Sequence, residues 1–169
     1  VLMTEYRSYE EAVERFTIDQ VWELFDGSQE HFNITHECID RHKDKGTAIR
    51  IKFEDGHTEQ YTFSELSRLT SQFANALESL DIDSGDRVAV MLDPSLEFYI
   101  SLFGTIKRGA IFVPCFPGFG PEALEYRIID SGARMLITTE ANKTLIDPRL
   151  VEHLIAVGPE FNGLLEGPV

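Results

Sequence analysis

The sequence has 169 residues, of which 43% are hydrophobic and 26% charged, so we expect a globular domain with a real core rather than a disordered chain. The net charge of −14, from 29 acidic and 15 basic residues, argues against nucleic acid or a membrane surface as a partner. Cys38 and Cys115 form neither a disulfide framework nor a zinc motif, and no apolar run reaches membrane-spanning length. We therefore expect a cytoplasmic protein.

Residues 1–45 are predicted to form a helical, acidic N-terminal segment that packs on the core. Tyr9–Phe16 and Ile18–Gly27 have helical apolar spacing, with Gly27 as a stop, and Asn33 can cap a third helix that ends at Gly46. His36 and His42 are six residues apart, a spacing that matches no common metal-binding pair. We predict no metal site.

A β-hairpin and an amphipathic helix are predicted next. Residues 47–53 alternate apolar and polar side chains, residues 58–63 resume the alternation, and Asp55-Gly56 supplies the turn between them. Thr62 and Glu65 have the spacing of a capping box. The helix that follows carries an apolar stripe, which predicts one buried face: Leu66, Leu69, Phe73, Leu77 and Leu80.

From Asp86 onward, strands and helices alternate. The apolar runs "RVAVML", "AIFVPC", "RMLITT" and "HLIAVG" are typical of strands, and each is followed or separated by a helical segment. We predict that Asp93 caps the first of these helices, with Pro94 at its first position, and that this helix is buried nearly all round and ends at Gly109. Residues 46–169 are therefore predicted to form an α/β unit with a mainly parallel sheet flanked by helices.

The stretch "VPCFPGFGPEALEY" contains Gly118-x-Gly120-x-x-Ala123, which matches a dinucleotide-binding fingerprint. Two features argue against that interpretation. Several residues, from Pro114 to Pro117, separate the strand from Gly118, whereas the fingerprint needs a tight strand-to-helix turn. Pro121 also removes a backbone N–H from the start of the helix, where a phosphate would bind.

Several segments together resemble the AMP-forming adenylating enzymes, which include acyl-CoA synthetases, peptide-synthetase adenylation domains and luciferases. "YTFSEL" (Tyr61–Leu66) and "IKRGAIFVPCF" (Ile106–Phe116) are similar to the first two core motifs of that family, in the right order and spacing. "GFGPEALEYRIIDSGARMLITT" and "FNITHECIDRH" resemble the acetyl-CoA and medium-chain acyl-CoA synthetase branch. The resemblance covers roughly residues 32–157.

The resemblance implies the N-terminal portion of an enzyme that converts a carboxylic acid, ATP and CoA to acyl-CoA, AMP and pyrophosphate. It implies ATP, Mg²⁺ and CoA as cofactors of the complete enzyme, a small carboxylic acid as substrate, and the remainder of its own chain as partner. The family's phosphate-binding loop, ribose-binding aspartate and catalytic lysine have no counterpart in these 169 residues. We therefore expect no catalytic residue here, no tight binding of these cofactors, and no activity from this chain alone.

By the same resemblance, the segment "CFPGF" lies beside the nucleotide end of CoA. Phe116 would contact the adenine, while Pro117 and Gly118 would line the passage. The branch usually has glycine where Pro117 stands, which is a departure from its pattern. Two other classes of protein remain open at this point: a free-standing small α/β binding module, and a dinucleotide-binding domain that uses Gly118, Gly120 and Ala123.

Overall fold

The computed structural model describes residues 6–169, and their N-terminal part is less regular than the sequence predicts. It contains three short helices: α1 (Tyr9–Arg15), α2 (Asp19–Trp22) and α3 (Ile34–Cys38). The prediction of one helix from Ile18 to Gly27 is wrong beyond Trp22. Asp26 and Gly27 donate their backbone N–H groups to the buried carboxylate of Glu37, at 2.8–3.2 Å, instead of to carbonyls one turn earlier. A side chain distant in sequence thus replaces the helical hydrogen bonds.

The third predicted helix is also shorter than expected. Asn33 caps α3 as predicted, since its side-chain oxygen accepts the N–H of Thr35 at 2.9 Å. The helix nevertheless ends at Cys38, because the buried Ile39 leaves the helical region (φ −123°, ψ −63°) and a 3₁₀ turn follows at Asp40–His42. This break lets the Asp40 carboxylate accept a hydrogen bond from the Lys107 ammonium at 2.8 Å.

The hairpin and the helix after it form as predicted. Strands β1 (Thr47–Lys52) and β2 (Thr58–Thr62) pair in antiparallel fashion around the Asp55-Gly56 turn, where Gly56 has φ +87°. Helix α4 (Phe63–Ser79) starts with the predicted capping box between Thr62 and Glu65. Its apolar stripe faces the core: Leu66, Phe73 and Leu77 are fully buried, and Leu69 and Leu80 are partly buried.

The remaining elements build a four-stranded parallel sheet in the order β4-β3-β5-β6, which confirms the predicted α/β class. The strands are β3 (Arg87–Val90), β4 (Ile111–Pro114), β5 (Met135–Thr138) and β6 (His153–Ala156). The helices are α5 (Leu96–Arg108), α6 (Pro121–Ser131), α7 (Glu140–Lys143) and α8 (Pro159–Gly163), with a 3₁₀ turn at Pro148–Leu150.

Both faces of this sheet are covered, as expected for parallel strands. Val88 and Val90 of β3 point to the face packed by α4, α5 and α8, where Phe73 and Phe161 stack with ring centroids 5.7 Å apart. Phe73 lies so close to Gly104 of α5 that a Cβ there would come within 2.6 Å of the ring. Ala89 and Met91 point to the opposite face, against Leu124 and Ile128 of α6. The core is therefore split into two apolar layers by the sheet.

Helix α5 differs from the prediction at its start. Asp93 does not cap it and Pro94 is not its first residue, because Ser95 is the cap and its hydroxyl accepts the N–H of Phe98 at 3.2 Å. The predicted burial is supported, since no residue of the helix is exposed. Its most deeply buried positions lie on one face, where α5 meets α4: Ile100, Ser101, Gly104 and Thr105. Gly109 ends the helix in the left-handed conformation (φ +81°), as predicted.

Among residues 6–169, no helix combines the length and the apolar character that a membrane crossing requires.

Candidate functional site

The candidate site lies where the edge strand β4 ends and α6 begins. All four strands of the sheet are parallel, so their carboxyl ends meet at one edge, which is where open α/β sheets bind ligands. After β4 the chain stays attached to β3 for one more residue, since the Cys115 N–H donates to the Val90 carbonyl at 2.8 Å. The chain then turns outward at Phe116. The strand thus positions the start of the turn.

Residues Phe116 to Phe119 form a tight turn that presents an aromatic ring to solvent. The Phe119 N–H donates to the Phe116 carbonyl at 3.0 Å, with Pro117 and Gly118 between them. Phe116 has 67% of its surface exposed. Gly118 does not have positive φ, but its missing side chain matters: a Cβ there would lie 2.7 Å from Cε1 of Phe116. Glycine therefore lets the Phe116 ring lie close to the backbone of the turn.

Two further side chains support this ring. Phe119 meets Phe116 edge to face, with centroids 5.9 Å apart and an interplanar angle of 72°. The guanidinium carbon of Arg127, two turns into α6, lies 3.9 Å from the centroid of the Phe119 ring. That distance is well within the range of a cation–π interaction. We call Phe116, Phe119 and Arg127 the aromatic stack.

Replacing Gly118 with alanine should displace the Phe116 ring while leaving the fold intact. The new methyl group would occupy space that the ring now fills, whereas position 118 is exposed and has no left-handed backbone. We expect the free energy of unfolding to change by less than about 1 kcal/mol. The measurement is the chemical shift of the ¹³C-labelled Phe116 ring, assigned by its loss in Phe116→Leu.

Gly120→Ala is the matched control, because a Cβ at position 120 meets nothing within 4 Å. Its Phe116 ring signals should match those of the parent chain. Equal shifts in both variants would contradict the close approach of the ring to Gly118.

The thiol of Cys115 belongs to the core and not to the chemistry of the site. Cys115 is only 5% exposed. This burial raises the pKa of the thiol, and the positive charge of Arg127 acts in the opposite direction. A raised pKa keeps the thiol protonated and unreactive at neutral pH. Cys115 therefore anchors the turn by packing against the α6 face of the sheet.

The structure overturns the dinucleotide-binding alternative for Gly118, Gly120 and Ala123. Strand β4 includes Pro114, so Cys115, Phe116 and Pro117 still separate the strand from Gly118, and no tight strand-to-helix turn forms. Gly120 is the cap of α6 with ordinary backbone angles (φ −68°, ψ 166°), and Pro121 occupies the first helical position. A proline there cannot donate to a pyrophosphate. The glycines shape an aromatic turn instead.

A second concave region lies beside the hairpin. It encloses about 570 Å³ between β1 and the residues after β3, next to Tyr99. Its lining includes two basic residues, Arg50 and Lys52, and two acidic ones, Glu54 and Asp93, so the formal charges balance and the cleft offers no net attraction to an anion. Within the described residues, no group of three or more histidine, cysteine or acidic side chains could hold a metal ion. His36 instead pairs with Asp26, Nε2 to Oδ2, at 2.9 Å.

The three residues that the sequence predicts for the site, Phe116, Pro117 and Gly118, all lie in the turn. Sequence reasoning missed Phe119 and Arg127, which complete the aromatic stack. A signal for them exists: an aromatic residue at each end of a Pro-Gly turn, followed by an arginine on the next helix. The signal is weak because it gives no information on which face of α6 the arginine occupies.

A parallel sheet covered on both faces, with an exposed aromatic turn at its carboxyl edge, defines the class: an α/β fold of the kind that generally binds ligands at that edge. Within that class, the chain belongs to the AMP-binding enzyme family, which it matches over residues 36–161. The resemblance to AMP-forming acyl-CoA synthetases seen in the sequence is thereby confirmed.

Three relatives show how far the similarity extends. An acetyl-coenzyme A synthetase of Magnetococcus marinus is 35% identical over 120 residues, which cover 69% of this chain and 18% of that enzyme. The crystal structure of the Brucella canis acyl-CoA synthetase superposes on 95% of this chain, and on 32% of its own, with a TM-score of 0.82 and 27% identity. An anthranilate CoA ligase bound to anthranoyl-AMP matches 81% of this chain and 27% of its own (TM-score 0.69, 27% identity).

This chain therefore spans about a fifth of the length of the acetyl-CoA synthetases that it matches.

Proposed function

We propose that this chain forms the N-terminal subdomain of an AMP-forming acyl-CoA synthetase and contributes its Phe116–Phe119 turn to CoA recognition. The observation that carries the proposal is an exposed phenylalanine, 67% accessible, held on a turn at the carboxyl edge of a parallel sheet. An aromatic ring with an exposed face is a surface on which a purine base can stack. Phe116 would contact the adenine of CoA, and Pro117 and Gly118 would line the passage toward it.

The reaction has two half-reactions, and this chain would act in the second. The carboxylate of the acid first attacks the α-phosphate of ATP, which gives an acyl-adenylate and releases pyrophosphate. The CoA thiol then attacks the acyl carbon, and AMP leaves. Mg²⁺ neutralises phosphate charge in such reactions, but the described residues contain no cluster of metal ligands, so we assign none of them to the metal. We also assign no catalytic residue to this chain.

Its partners would be the remaining subdomains of the enzyme and a small to medium carboxylic acid. We keep the division of the chain into a helical segment (residues 1–45) and an α/β unit (residues 46–169) as a proposal. Hydrogen bonds join the two: Thr35 Oγ1 donates to the Phe103 carbonyl at 2.6 Å, and Asn33 Nδ2 donates to the Ile106 carbonyl at 3.1 Å. These hydrogen bonds support an N-terminal segment whose helix α3 packs against α5 of the α/β unit.

Pyrophosphate release tests the proposal. The enzyme that contains this chain should release pyrophosphate from ATP and Mg²⁺ with at least one acid in a panel from acetate to medium-chain acids. It should make the corresponding thioester once CoA is added. The 169-residue chain alone should release none above background, because the family's phosphate-binding loop and catalytic lysine have no counterpart in its sequence. Turnover by the isolated chain, or no response of the enzyme to any acid, would refute the proposal.

A further inference from the structure

Arg127 differs from the other basic residues in the described part of the chain because its guanidinium lies over an aromatic ring. Like six other basic residues there, it takes part in no ion pair, although the molecule carries 29 acidic residues against 15 basic ones. Its protein contacts are a hydrogen bond from Nη1 to the Ala123 carbonyl, at 3.1 Å, and the face of the Phe119 ring. The aromatic contact is therefore the main restraint on the guanidinium.

The contacts continue from Arg127 to the ligand-facing ring. Arg127 covers one face of Phe119, and Phe119 meets Phe116 edge to face. The backbone at Gly118 lies against the Phe116 ring on another side. An exposed phenylalanine without such neighbours would rotate freely and would lose that freedom on binding. The stack restrains the ring before a ligand arrives.

The chemistry of arginine suits this role better than that of lysine. A guanidinium is planar, stays charged, and stacks flat on an aromatic face, whereas an ammonium is a compact and strongly hydrated charge. Helix α6 carries Arg127 on a rigid element, and the turn carries Phe119. The arginine therefore joins the turn to helix α6 through a side-chain contact.

We infer that Arg127 is a positioning residue for this site: through Phe119 it holds Phe116 in the orientation that accepts a planar aromatic group. The identity of that group as the adenine of CoA rests on the proposed function, but the positioning itself does not. Arg127 then acts without touching the ligand.

The test places a fluorescent reporter at position 116. The chain has one tryptophan, so Trp22→Phe combined with Phe116→Trp leaves a single indole in the turn. In time-resolved anisotropy, indole that is held by its neighbours decays slowly with the tumbling of the protein, whereas freely rotating indole decays fast. The amplitudes of the two decays give the ratio of held to free indole. Adding Arg127→Met should lower the ratio of held to free indole about 2- to 5-fold, the worth of an exposed cation–π contact. The ratio for Arg127→Lys should lie between that of the parent chain and that of Arg127→Met.

Arg68→Met is the control, because Arg68 also lies on a helix but donates to Gln72 and not to a ring. It should leave the ratio unchanged. If Arg127→Met fails to fold, judged by circular dichroism, Phe119→Leu removes the same contact from the other side and should give the same fall. An unchanged ratio in a folded Arg127→Met or Phe119→Leu variant would overturn the inference.

A second arm uses the enzyme that contains this chain. Arg127→Met should raise the KM for CoA and for dephospho-CoA by the same factor and leave the rate of adenylate formation unchanged. A loss confined to CoA would mean that Arg127 contacts the 3′-phosphate, which would overturn a purely positioning role. If the indole ratio falls but Phe116→Ala leaves CoA use unchanged, the positioning stands and the proposed function fails.

Discussion

Replacing Phe116 with alanine in the enzyme that contains this chain should weaken CoA use about 5- to 150-fold and leave adenylate formation nearly unchanged. Stacking of a base on an aromatic side chain contributes roughly 1–3 kcal/mol, and each 1.4 kcal/mol corresponds to about a tenfold change. The effect is asymmetric because the acid and ATP react before the CoA thiol enters. The measurements are pyrophosphate release without CoA and thioester formation with CoA.

Tyr126→Ala is the control for exposure, because Tyr126 and Phe116 are both 67% exposed but only Phe116 lies in the turn. Tyr126→Ala should change neither half-reaction. Equal losses in both half-reactions for Phe116→Ala, or no loss in either, would identify the turn as scaffold rather than as a contact for CoA.

The second large effect is expected in the core, from Phe73→Ala in the 169-residue chain. Phe73 is fully buried, packs against the backbone of Gly104, and stacks on Phe161. Removing a buried phenylalanine costs about 3–5 kcal/mol through lost burial and the cavity left behind. Small proteins have a total free energy of unfolding of about 5–15 kcal/mol. The variant should therefore unfold at a much lower urea concentration and populate unfolded chains at room temperature.

Phe116→Ala in the same chain is the matched control, since it removes the same atoms from an exposed ring. We expect it to lower the free energy of unfolding by less than about 1 kcal/mol. Both variants are compared by urea unfolding, monitored by circular dichroism. A small effect of Phe73→Ala would show that the layer between α4, α5 and the sheet can collapse around the lost ring.

The contrast between these two phenylalanines also separates stability from function. Phe73 lies between two helices and the sheet and has no access to a ligand. Phe116 lies at the surface and adds little to the core. Effects of Phe116→Ala on CoA use can therefore be read as binding effects, because the fold does not depend on that ring.

The sequence predicts the order of the strands and helices of the α/β unit, and it predicts those local features whose partners are a few residues apart. The capping box of Thr62 and Glu65, the Asn33 cap and the Asp55-Gly56 turn all form as predicted. Each is closed by hydrogen bonds within two to four residues, as the Thr62–Glu65 pair shows, so the local sequence contains all the necessary groups. The family could be recognised for a related reason, since its motifs are contiguous segments in a fixed order.

The candidate site was predictable only in its contiguous part. Phe116, Pro117 and Gly118 are adjacent in the chain, so a single motif contains them. Phe119 and Arg127 join them only because α6 turns the arginine toward the loop, and the direction of a helix face depends on how the helix packs on the sheet.

The tertiary structure alone decided where helix α2 ends and how the exposed Phe116 ring is held. Helix α2 stops early because Glu37, ten residues beyond Gly27, accepts backbone N–H groups that a helix would otherwise use. Ser95 and not Asp93 caps α5, although both residue types make good caps. For α2 the deciding carboxylate belongs to Glu37, outside the segment, so the sequence of that segment does not contain the information.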